Sequence, residues 1–388
     1  MKTLIELYDE RPIENVLATE TFRPEETVII CPPEVDANRA LKKSLEMYFS
    51  HRKCPVKLTF LPTSLLDSVK IGKRLLQVLE THEDCAIDIA GGTDAALFAA
   101  GNVAGNTPVF TYSRKKNAFF EIKNAPFARD LPCAIRLDAE SCFLMAGGTL
   151  LKGRADNSRL RDYLPEIDKL FTVFGDFRRE WQRQISYIQK ISSAEPGRLD
   201  ASGPRTAKAD HGTVTADPLL FEALAEAGLI LDLEITEDEI SFAFPDETIR
   251  FWLRDIGSVL ELQVYRACLA ADCFDDVVLS AVVNWEGGSN QRDGVTNEID
   301  VMAVRGVQPV FISCKTSEIK TEALNELSVL RDRFGGKGSR AIIVTSSSAA
   351  NEFSPMRRRA DELNIEVIEW SELTLDRLIK RLRMQPAG

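Results

Sequence analysis

Two carboxylates and one lysine lie in a short stretch that is otherwise strongly apolar, NEIDVMAVRGVQPVFISCKTS at residues 297–317. The stretch predicts two β-strands joined by a tight turn, with Glu298 and Asp300 on the first strand and Lys315 on the second. Carboxylate oxygens are the ligands that hard divalent cations such as Mg²⁺ prefer. A lysine beside such an ion can position a water molecule or offset charge that builds up on a phosphate. The residue types therefore suit metal-dependent hydrolysis of phosphodiesters.

The period of the two strands predicts how these side chains meet. Alternation places one set of first-strand residues on a common face: Glu298, Asp300, Met302 and Val304. A five-residue loop, RGVQP, would set Asp300 opposite Cys314, or opposite Lys315 after a shift of one residue. Either register leaves Asp300 and Lys315 within reach of one ligand, because even diagonal neighbours lie only about 7–8 Å apart. The alternative is an ordinary ion pair on a solvated sheet edge.

A further acidic side chain, Glu261, precedes the hairpin on a helix predicted near 257–271. Residues spaced for one buried helix face surround it in sequence: Leu260, Val264, Ala267 and Cys268. Glu261 lies about 100° around the helix from Leu260, at the border of that face. We expect its carboxylate to lean over the end of the sheet against which the helix packs.

This order of helix, hairpin, helix and strand resembles the PD-(D/E)xK, or restriction-endonuclease-like, nucleases. The matching positions are Gly257, Glu261, Asp300, Ser313 and Lys315. The resemblance implies an endonuclease that uses Mg²⁺ or Mn²⁺, with Asp300, Glu261 and the backbone carbonyl of Cys314 as metal ligands. Ser313 departs from the family, which usually has an acid two residues before the lysine. Glu261 or Glu298 could supply the missing carboxylate.

The serine leaves a second interpretation open. In that alternative the nuclease fold is inactive, and the chain is a ligand-gated binding scaffold or regulator. Metal binding that depends on Asp300 distinguishes the enzyme from the scaffold.

The N-terminal part of the chain alternates strands and helices. Strands are predicted at 27–34, 56–63, 85–92 and 107–113, and helices at about 35–50, 66–81 and 93–104. This alternation indicates an α/β fold with a doubly wound, mostly parallel sheet.

A glycine pair follows the third of these strands, in IDIAGGTDAALFAAG at 87–101. Gly91, Gly92, Thr93 and Asp94 lie where the strand turns into a helix, so that backbone N–H groups could face a phosphate or ribose. The alternative is a tight turn in which Thr93 or Asp94 only caps the helix. A loop near the start of the chain, YDERPIENVLA at 8–18, would lie at the same edge of a parallel sheet, where ligands bind.

Together these two segments resemble the CARF domains, the CRISPR-associated Rossmann-fold sensors. The resemblance is carried by Asp88-Ile89-x-Gly91-Gly92-Thr93 and by Pro12-Ile13-x-Asn15-Val16-Leu17. It implies a homodimer that binds a cyclic oligoadenylate, here cyclic tetra-adenylate, across its two-fold axis, with Gly91–Asp94, Pro12, Ile13 and Asn15 at the ligand. A CARF domain joined to a PD-(D/E)xK domain is similar to the type III CRISPR nucleases that cut single-stranded DNA or RNA and, by extension, nick duplex DNA.

Three regions are predicted from these patterns. They are a CARF domain at 1–150, linker helices with a small connecting region at 151–250, and a nuclease domain at 251–388. The stretch 193–218 is rich in Gly, Pro, Ser and Ala, which indicates a linker or mobile loop. The C-terminal region predicts strands at 277–285, 295–304, 310–315, 340–346 and 365–370, with helices at 318–334 and near 355–363 and a final helix.

Composition limits the remaining possibilities. The 388 residues are 44% hydrophobic and 28% charged, ordinary values for a folded chain of two domains. A net charge of −11 argues against wrapping nucleic acid over the whole surface, but allows a locally basic cleft. Eight scattered cysteines without zinc spacing, and no signal-peptide or membrane-spanning pattern, predict a cytoplasmic location.

Overall fold

The computed structural model describes residues 1–151, 157–209, 212–287, 294–335, 338–347 and 355–384. Within these ranges the chain forms two large β-sheets flanked by helices, with a smaller region between them in sequence. The predicted α/β class is confirmed. In the same ranges no helix is both long and apolar enough to cross a bilayer.

The N-terminal sheet has seven strands in the spatial order β3-β2-β1-β4-β5-β6-β7. The strands are β1 (Thr3–Leu7), β2 (Glu26–Cys31), β3 (Lys57–Pro62), β4 (Cys85–Asp88), β5 (Val109–Ser113), β6 (Ala118–Lys123) and β7 (Leu131–Pro132). β1 to β5 pair in parallel, whereas β6 and β7 extend the sheet antiparallel. Every residue of β1 is buried, as expected for a central strand with both faces covered.

Helices cover both faces of this sheet. They are α1 (Leu17–Phe22), α2 (Pro33–Ala37), α3 (Arg39–His51), α4 (Ser68–Thr81), α5 (Asp94–Val103) and α6 (Ala139–Met145). One helix predicted at about 35–50 is divided in two at Asn38, whose side chain accepts a hydrogen bond from the N–H of Leu41 and caps α3. α4 and α5 pack on one face, and α1 and α3 pack on the other.

A connecting region follows the short strand β8 (Thr149–Leu151). Its elements are α7 (Asn157–Leu160), α8 (Leu164–Asp176), α9 (Trp181–Ile191), β9 (Asp200–Pro204), β10 (Thr206–Ala209), β11 (Gly212–Thr215), α10 (Pro218–Glu226), β12 (Leu231–Ile235), β13 (Glu239–Ala243) and α11 (Glu247–Leu253). The predicted linker or mobile loop at 193–218 is wrong for the described residues there. β9 pairs with β13 and β10 pairs with β11, and Ala201 and Val214 enter the core, so long-range pairing prevails over a composition typical of loops.

The C-terminal sheet has six strands in the order β18-β17-β16-β15-β14-β8. The new elements are α12 (Ser258–Ala270), β14 (Asp276–Asn284), β15 (Thr296–Arg305), β16 (Gln308–Lys315), α13 (Thr321–Phe334), β17 (Arg340–Thr345), α14 (Pro355–Glu362), β18 (Ile365–Ile368) and α15 (Leu375–Arg383). β14, β15 and β16 are antiparallel, and β17 and β18 follow in parallel. α8, α12 and α15 pack on one face, and α6, α13 and α14 on the other.

The two sheets are joined through α6 and β8. Ser44 Oγ of α3 donates to the carbonyl of Leu144 in α6, and three residues after α6 the chain enters the C-terminal sheet as β8, paired with β14. The domain boundary predicted at 150 therefore falls inside a strand of the C-terminal sheet.

Candidate active site

Asp300 lies where the pairing of β15 with β16 ends. Its Oδ2 accepts hydrogen bonds from the backbone N–H of Cys314 at 2.6 Å, from Ser313 Oγ at 3.1 Å and from Lys315 Nζ at 3.4 Å. The last pair of the ladder joins Val301 to Ile312, so the carboxylate takes the place of a backbone acceptor at the point where the strands separate. The structure thus brings Asp300 and Lys315 together, as expected from the sequence.

The predicted register was wrong by one residue. Arg305 pairs with Gln308, so the loop contains two residues rather than five, and Asp300 falls opposite Ser313 rather than Cys314 or Lys315. Gly306 has φ of 60°, the left-handed conformation that a two-residue hairpin turn requires.

An irregularity in the neighbouring strand directs Asp300. The pairs Leu279 with Val301 and Ala281 with Ile299 set Ser280 opposite Asp300, and Ser280 has φ of 52°. Leu279 lies in the core beneath α12, whereas Ala281 lies in the core on the opposite face. The left-handed residue therefore reverses which side of the sheet the following side chains occupy.

The same reversal occurs in β15 and corrects the expected strand face. Met302 and Val304 pack in the core on the α13 side, and so does Ile299, which strict alternation would place on the other side. Glu298 and Asp300 instead line a cleft together with Glu261. The expectation that Glu298, Asp300, Met302 and Val304 share one face is therefore wrong, and the departure is what lets the two acids face α12.

Glu261 lies in the first turn of α12 and is largely buried. Burial, reinforced by the negative charges of Asp300, Asp255 and Glu298, raises the pKa of Glu261 to about 8, and Lys315 opposes that rise. A Cβ on Gly257 would lie 3.1 Å from Glu261 Oε1, so a glycine at that position leaves room for the carboxyl. Glu261 therefore belongs to the same acidic cluster as Asp300 and Glu298.

These acids line a cleft of about 790 Å³ between the C-terminal sheet and the connecting region. Its walls include Arg159, Tyr163, Arg250, Phe251, Arg254, Ser258, Glu261, Ser280, Glu298 and Asp300. Glu298 and Asp300 of the sheet make one side of the cleft acidic, whereas the lining from α7 and α11 carries three arginines, one of them paired with Glu247. The sequence did not predict the α11 residues of this cleft. The run FWLR has no spacing that distinguishes an arginine lining a cleft from one exposed to solvent.

The donor set suits a divalent cation that keeps much of its own water. In the described parts of the chain, no group of three His, Cys, Asp or Glu side chains is close enough to hold an ion unaided. Mg²⁺ commonly binds through one or two carboxylates, with water and substrate phosphate completing its shell, and Asp300 with Glu261 provides that number. A carboxyl with the raised pKa of Glu261 is largely protonated at neutral pH, and an adjacent cation would favour its ionised form.

Cys314 and Ser313 have supporting positions. Burial and the nearby charge of Asp300 raise the pKa of the Cys314 thiol well above its usual range, so the sulfur is not a thiolate ligand at neutral pH. Ser313 donates to Asp300 and fixes the orientation of that carboxylate.

The N-terminal glycine loop has a defined shape. The N–H of Gly92 donates to Asp9 Oδ2 at 3.2 Å, and Asp9 also accepts from the backbone and side chain of Arg11. A Cβ on Gly91 would lie 2.8 Å from the carbonyl oxygen of Leu7, and Gly92 has φ of 94°. The two glycines therefore let this loop pass close to the end of β1, as predicted for the carboxyl edge of a parallel sheet.

The other residues predicted to contact the cyclic oligoadenylate differ in whether they are buried or exposed. Thr93 caps α5 by accepting from the N–H of Ala96, and Asp94 is exposed in the first turn. Asn15 is buried and bonds to both backbone groups of Asp9, and Ile13 is buried in the core. Pro12 begins a short 3-10 helix at Pro12–Asn15. Thus Asn15 shapes the loop from beneath, and Ile13 does not face the open edge.

A cavity of about 710 Å³ opens beside this loop. Gly92, Thr93, Tyr8 and Leu66 line it, with Ser64, Leu65, Asp9, Glu10, Glu34, Pro32 and Pro33. No lysine or arginine lines it in the described residues, whereas Asp9, Glu10 and Glu34 do, so the charged side chains of this lining are all acidic.

Comparison with known proteins identifies the C-terminal part. Residues 246–385 match the family of Card1-like endonuclease domains. No curated protein matches the chain by sequence.

Solved structures share the fold. Protein VC1899 from Vibrio cholerae has a TM-score of 0.76 at 18% identity, over 98% of this chain and 97% of that one. Can2 from Sulfobacillus thermosulfidooxidans, solved with cyclic tetra-adenylate, has a TM-score of 0.71 at 15% identity, over 98% and 99%. A type III CRISPR defence DNA nuclease activated by cyclic oligoadenylate has a TM-score of 0.50 at 14% identity, over 99% of this chain and 52% of that one. The resemblance predicted from the sequence is confirmed for the fold of the whole chain and for the endonuclease domain at its C-terminal end.

Proposed function

We propose that this chain, which carries a Card1-like endonuclease domain behind a Rossmann-like N-terminal domain, is a metal-dependent nuclease switched on by a cyclic oligoadenylate. The observation that carries the proposal is that Asp300 and Glu261, from separate elements, line one cleft of that endonuclease fold, and that Lys315 on a third element pairs with Asp300. Single-stranded DNA or RNA is the proposed substrate, and type III CRISPR defence is the proposed setting.

The chain's own residues divide the work of hydrolysis. A divalent cation bound by Asp300 and Glu261 would polarise the scissile phosphate and lower the pKa of a water molecule. Lys315, 3.4 Å from Asp300, supplies positive charge where negative charge develops on the phosphate in the transition state. Ser313 and the N–H of Cys314 hold the Asp300 carboxylate in one orientation, which preserves the geometry of the site.

Activation is proposed to begin at the Gly91–Asp94 loop. The Can2 structure holds cyclic tetra-adenylate, and this chain shares its fold, which supports the same ligand here. A two-fold symmetric ligand would bring two copies of the chain together. Leu66, Val69 and Phe98 are 85%, 66% and 64% exposed near the loop, which supports a homodimer formed through this apolar surface.

The alternative is a ligand-gated scaffold with an inactive nuclease fold. Ser313 favours it, since the family usually has an acid there. The position of Glu298 favours the enzyme, because this carboxylate lines the cleft with Glu261 and Asp300 and offers a replacement.

The test combines the protein with Mn²⁺ or Mg²⁺, labelled single-stranded or duplex DNA or RNA, and each cyclic oligoadenylate in turn. We expect cleavage that needs both metal and cyclic tetra-adenylate, and that falls by roughly 10²-fold or more in Asp300→Asn and Lys315→Ala. Glu222→Gln and Lys169→Ala, at exposed helix positions outside the cleft, are matched controls and should retain activity.

Calorimetry with Mn²⁺ separates the two proposals. The enzyme requires metal binding that Asp300→Ala abolishes. Absence of cleavage under every combination, together with Mn²⁺ binding that ignores the Asp300 substitution, would leave only the scaffold.

A further inference from the structure

Arg254 lines the cleft and forms no ion pair within the described residues. It caps the C-terminal end of α11, and its carbonyl oxygen accepts from Gln189, which fixes the backbone there. Its Nε is buried and has no hydrogen-bond partner in the described parts of the chain. Arg254 and the acids Glu261 and Asp300 line the same cleft. An arginine in this condition lacks the anion that such groups normally bind when they leave water.

Glu247 attracts Arg254 electrostatically but forms no ion pair with it. Glu247 accepts from Arg250 Nε at 2.8 Å and from the N–H of Gly197, so its carboxylate is already engaged. Arg250 also donates to the carbonyl of Ser193 and is 7% exposed, which leaves Arg254 as the available cation of this helix. Burial, and then the like charge of Arg250, lower the pKa of Arg254 by more than the attraction of Glu247 raises it.

Phe251 lies one helical turn before Arg254, on the same side of α11. It is 54% exposed, whereas its neighbours Trp252 and Leu253 are buried. Residues three apart on a helix are neighbours on its surface, so the exposed ring and the unpaired guanidinium form one patch. That patch lines the cleft that Glu261 and Asp300 also line.

We propose that Phe251 and Arg254 form a nucleotide subsite next to the scissile position, in which Arg254 binds a flanking phosphate and Phe251 stacks on the base of that nucleotide. The inference rests on the proposed nuclease function. The chemistry matches the usual composition of single-strand sites, where an aromatic side chain stacks on an unpaired base beside a cationic group on the backbone. A base held in a duplex cannot present its face to the ring, so the subsite also favours unpaired strands.

The test uses the full chain with activator and metal, and single-stranded oligonucleotides that carry one abasic nucleotide at successive positions. Wild type should lose about 5- to 100-fold in kcat/KM when the abasic nucleotide occupies one particular flanking position. Phe251→Ala should show a similar loss on the intact strand and become insensitive to the abasic position. Leu219→Ala, an exposed apolar side chain 66% accessible and outside the cleft, is the matched control.

A parallel series tests the phosphate contact. A single uncharged methylphosphonate linkage should weaken wild type at one position and leave Arg254→Gln unaffected. Arg254→Gln should raise KM more than it lowers kcat. It should also reduce, by about one, the slope of the logarithm of the association constant plotted against the logarithm of the salt concentration. Arg198→Gln, an exposed arginine on the connecting region, should keep the wild-type slope.

Binding of a fluorescent strand, measured by anisotropy, keeps this inference separate from the proposed function. If wild type cuts nothing but binds the strand, and both variants weaken that binding, the subsite stands while the nuclease proposal fails. If Phe251→Ala and Arg254→Gln both match wild type in binding and in sensitivity to the modified strands, the subsite is overturned whether or not cleavage occurs.

Discussion

At the scale of single residues, the most unusual chemistry outside the cleft is a pair of buried acids beneath the glycine loop. Glu6 and Asp88 are each 1% exposed on neighbouring parallel strands, and Asp88 accepts from the N–H of Ala90, just before the loop. Burial raises the pKa of Glu6 well above its usual range, and burial raises the pKa of Asp88 to about 7. At least one proton is therefore held by this pair at neutral pH.

The pair predicts a pH-dependent stability. Because the folded state keeps protons that unfolded carboxyls release above about pH 4, the stabilisation that the pair contributes should be lost as pH rises from about 4 through about 7, the pKa of Asp88 in the folded state. Asp88→Asn removes part of this loss, so its stability relative to wild type should increase by a few kcal/mol across that range. Urea denaturation from pH 4.5 to 8 measures the difference. Glu80→Gln, exposed on α4, should show none, and a flat Asp88→Asn difference would contradict the assignment.

The sequence predicted that the proposed catalytic residues come together, but not what surrounds them. Asp300, Lys315 and Glu261 could be found because catalytic side chains are polar residues at fixed spacings within apolar elements. Arg254 and the Glu6–Asp88 pair could not, because what distinguishes them is the absence of a partner or the presence of a buried one, and both depend on long-range packing.

At the scale of elements, the order of strands and helices followed from periodicity, but the details of the hairpin did not. The register error came from loop length, since RGVQP gives no sign that Pro309 belongs to the strand. The reversal of strand face came from Ser280, a residue type that gives no hint of a left-handed conformation. Both depend on how β14, β15 and β16 twist together rather than on local preference.

The conformation of Ser280 predicts an inverted ranking of substitutions. A β-branched residue is poorly tolerated at positive φ, whereas glycine is not. Ser280→Val should be less stable than Ser280→Gly by roughly 1–3 kcal/mol, and only the valine variant should lose nuclease activity through displacement of Asp300. Chemical denaturation and the cleavage assay measure the two effects. Ser202 in β9 offers the matched control, because its φ is not positive and valine should therefore be more stable than glycine there. If glycine is more stable than valine at both positions, or valine than glycine at both, the argument is refuted.

At the scale of the whole molecule, the N-terminal half holds the turn of the catalytic hairpin. Asp275 Oδ2 accepts from the N–H of Gly306, and Asp275 Oδ1 pairs with Arg136. The N–H of Leu137 donates to the carbonyl of Gly306 at 2.8 Å. Asp300 and Lys315 lie at the opposite end of the same hairpin, so two paired strands connect the N-terminal domain to the proposed catalytic residues.

This connection predicts a variant that binds the activator normally but is stimulated poorly by it. Asp275→Ala removes both contacts of the carboxylate, and should lower the stimulation of cleavage by cyclic tetra-adenylate by about 5-fold or more while leaving its Kd unchanged. Arg136→Ala removes only the exposed ion pair between Asp275 and the N-terminal part, and should lower the stimulation in the same direction but by less, because Asp275 still accepts from the N–H of Gly306. Calorimetry gives the Kd for the activator, and cleavage rates with and without the activator give the stimulation. Wild-type stimulation in Asp275→Ala would show that the turn carries no signal.

The strand β8 has a practical consequence for anyone who wishes to study the nuclease alone. A recombinant fragment of residues 246–385 would lack Leu150 and Leu151, the partners of Val283 and Val282, and would expose the hydrogen-bonding edge of β14 to other molecules. We expect such a fragment to self-associate in light scattering at concentrations where the full chain does not. A stable nuclease fragment therefore has to begin upstream of Thr149. The residues that match the endonuclease family, 246–385, are fewer than the residues that must fold together to complete its sheet.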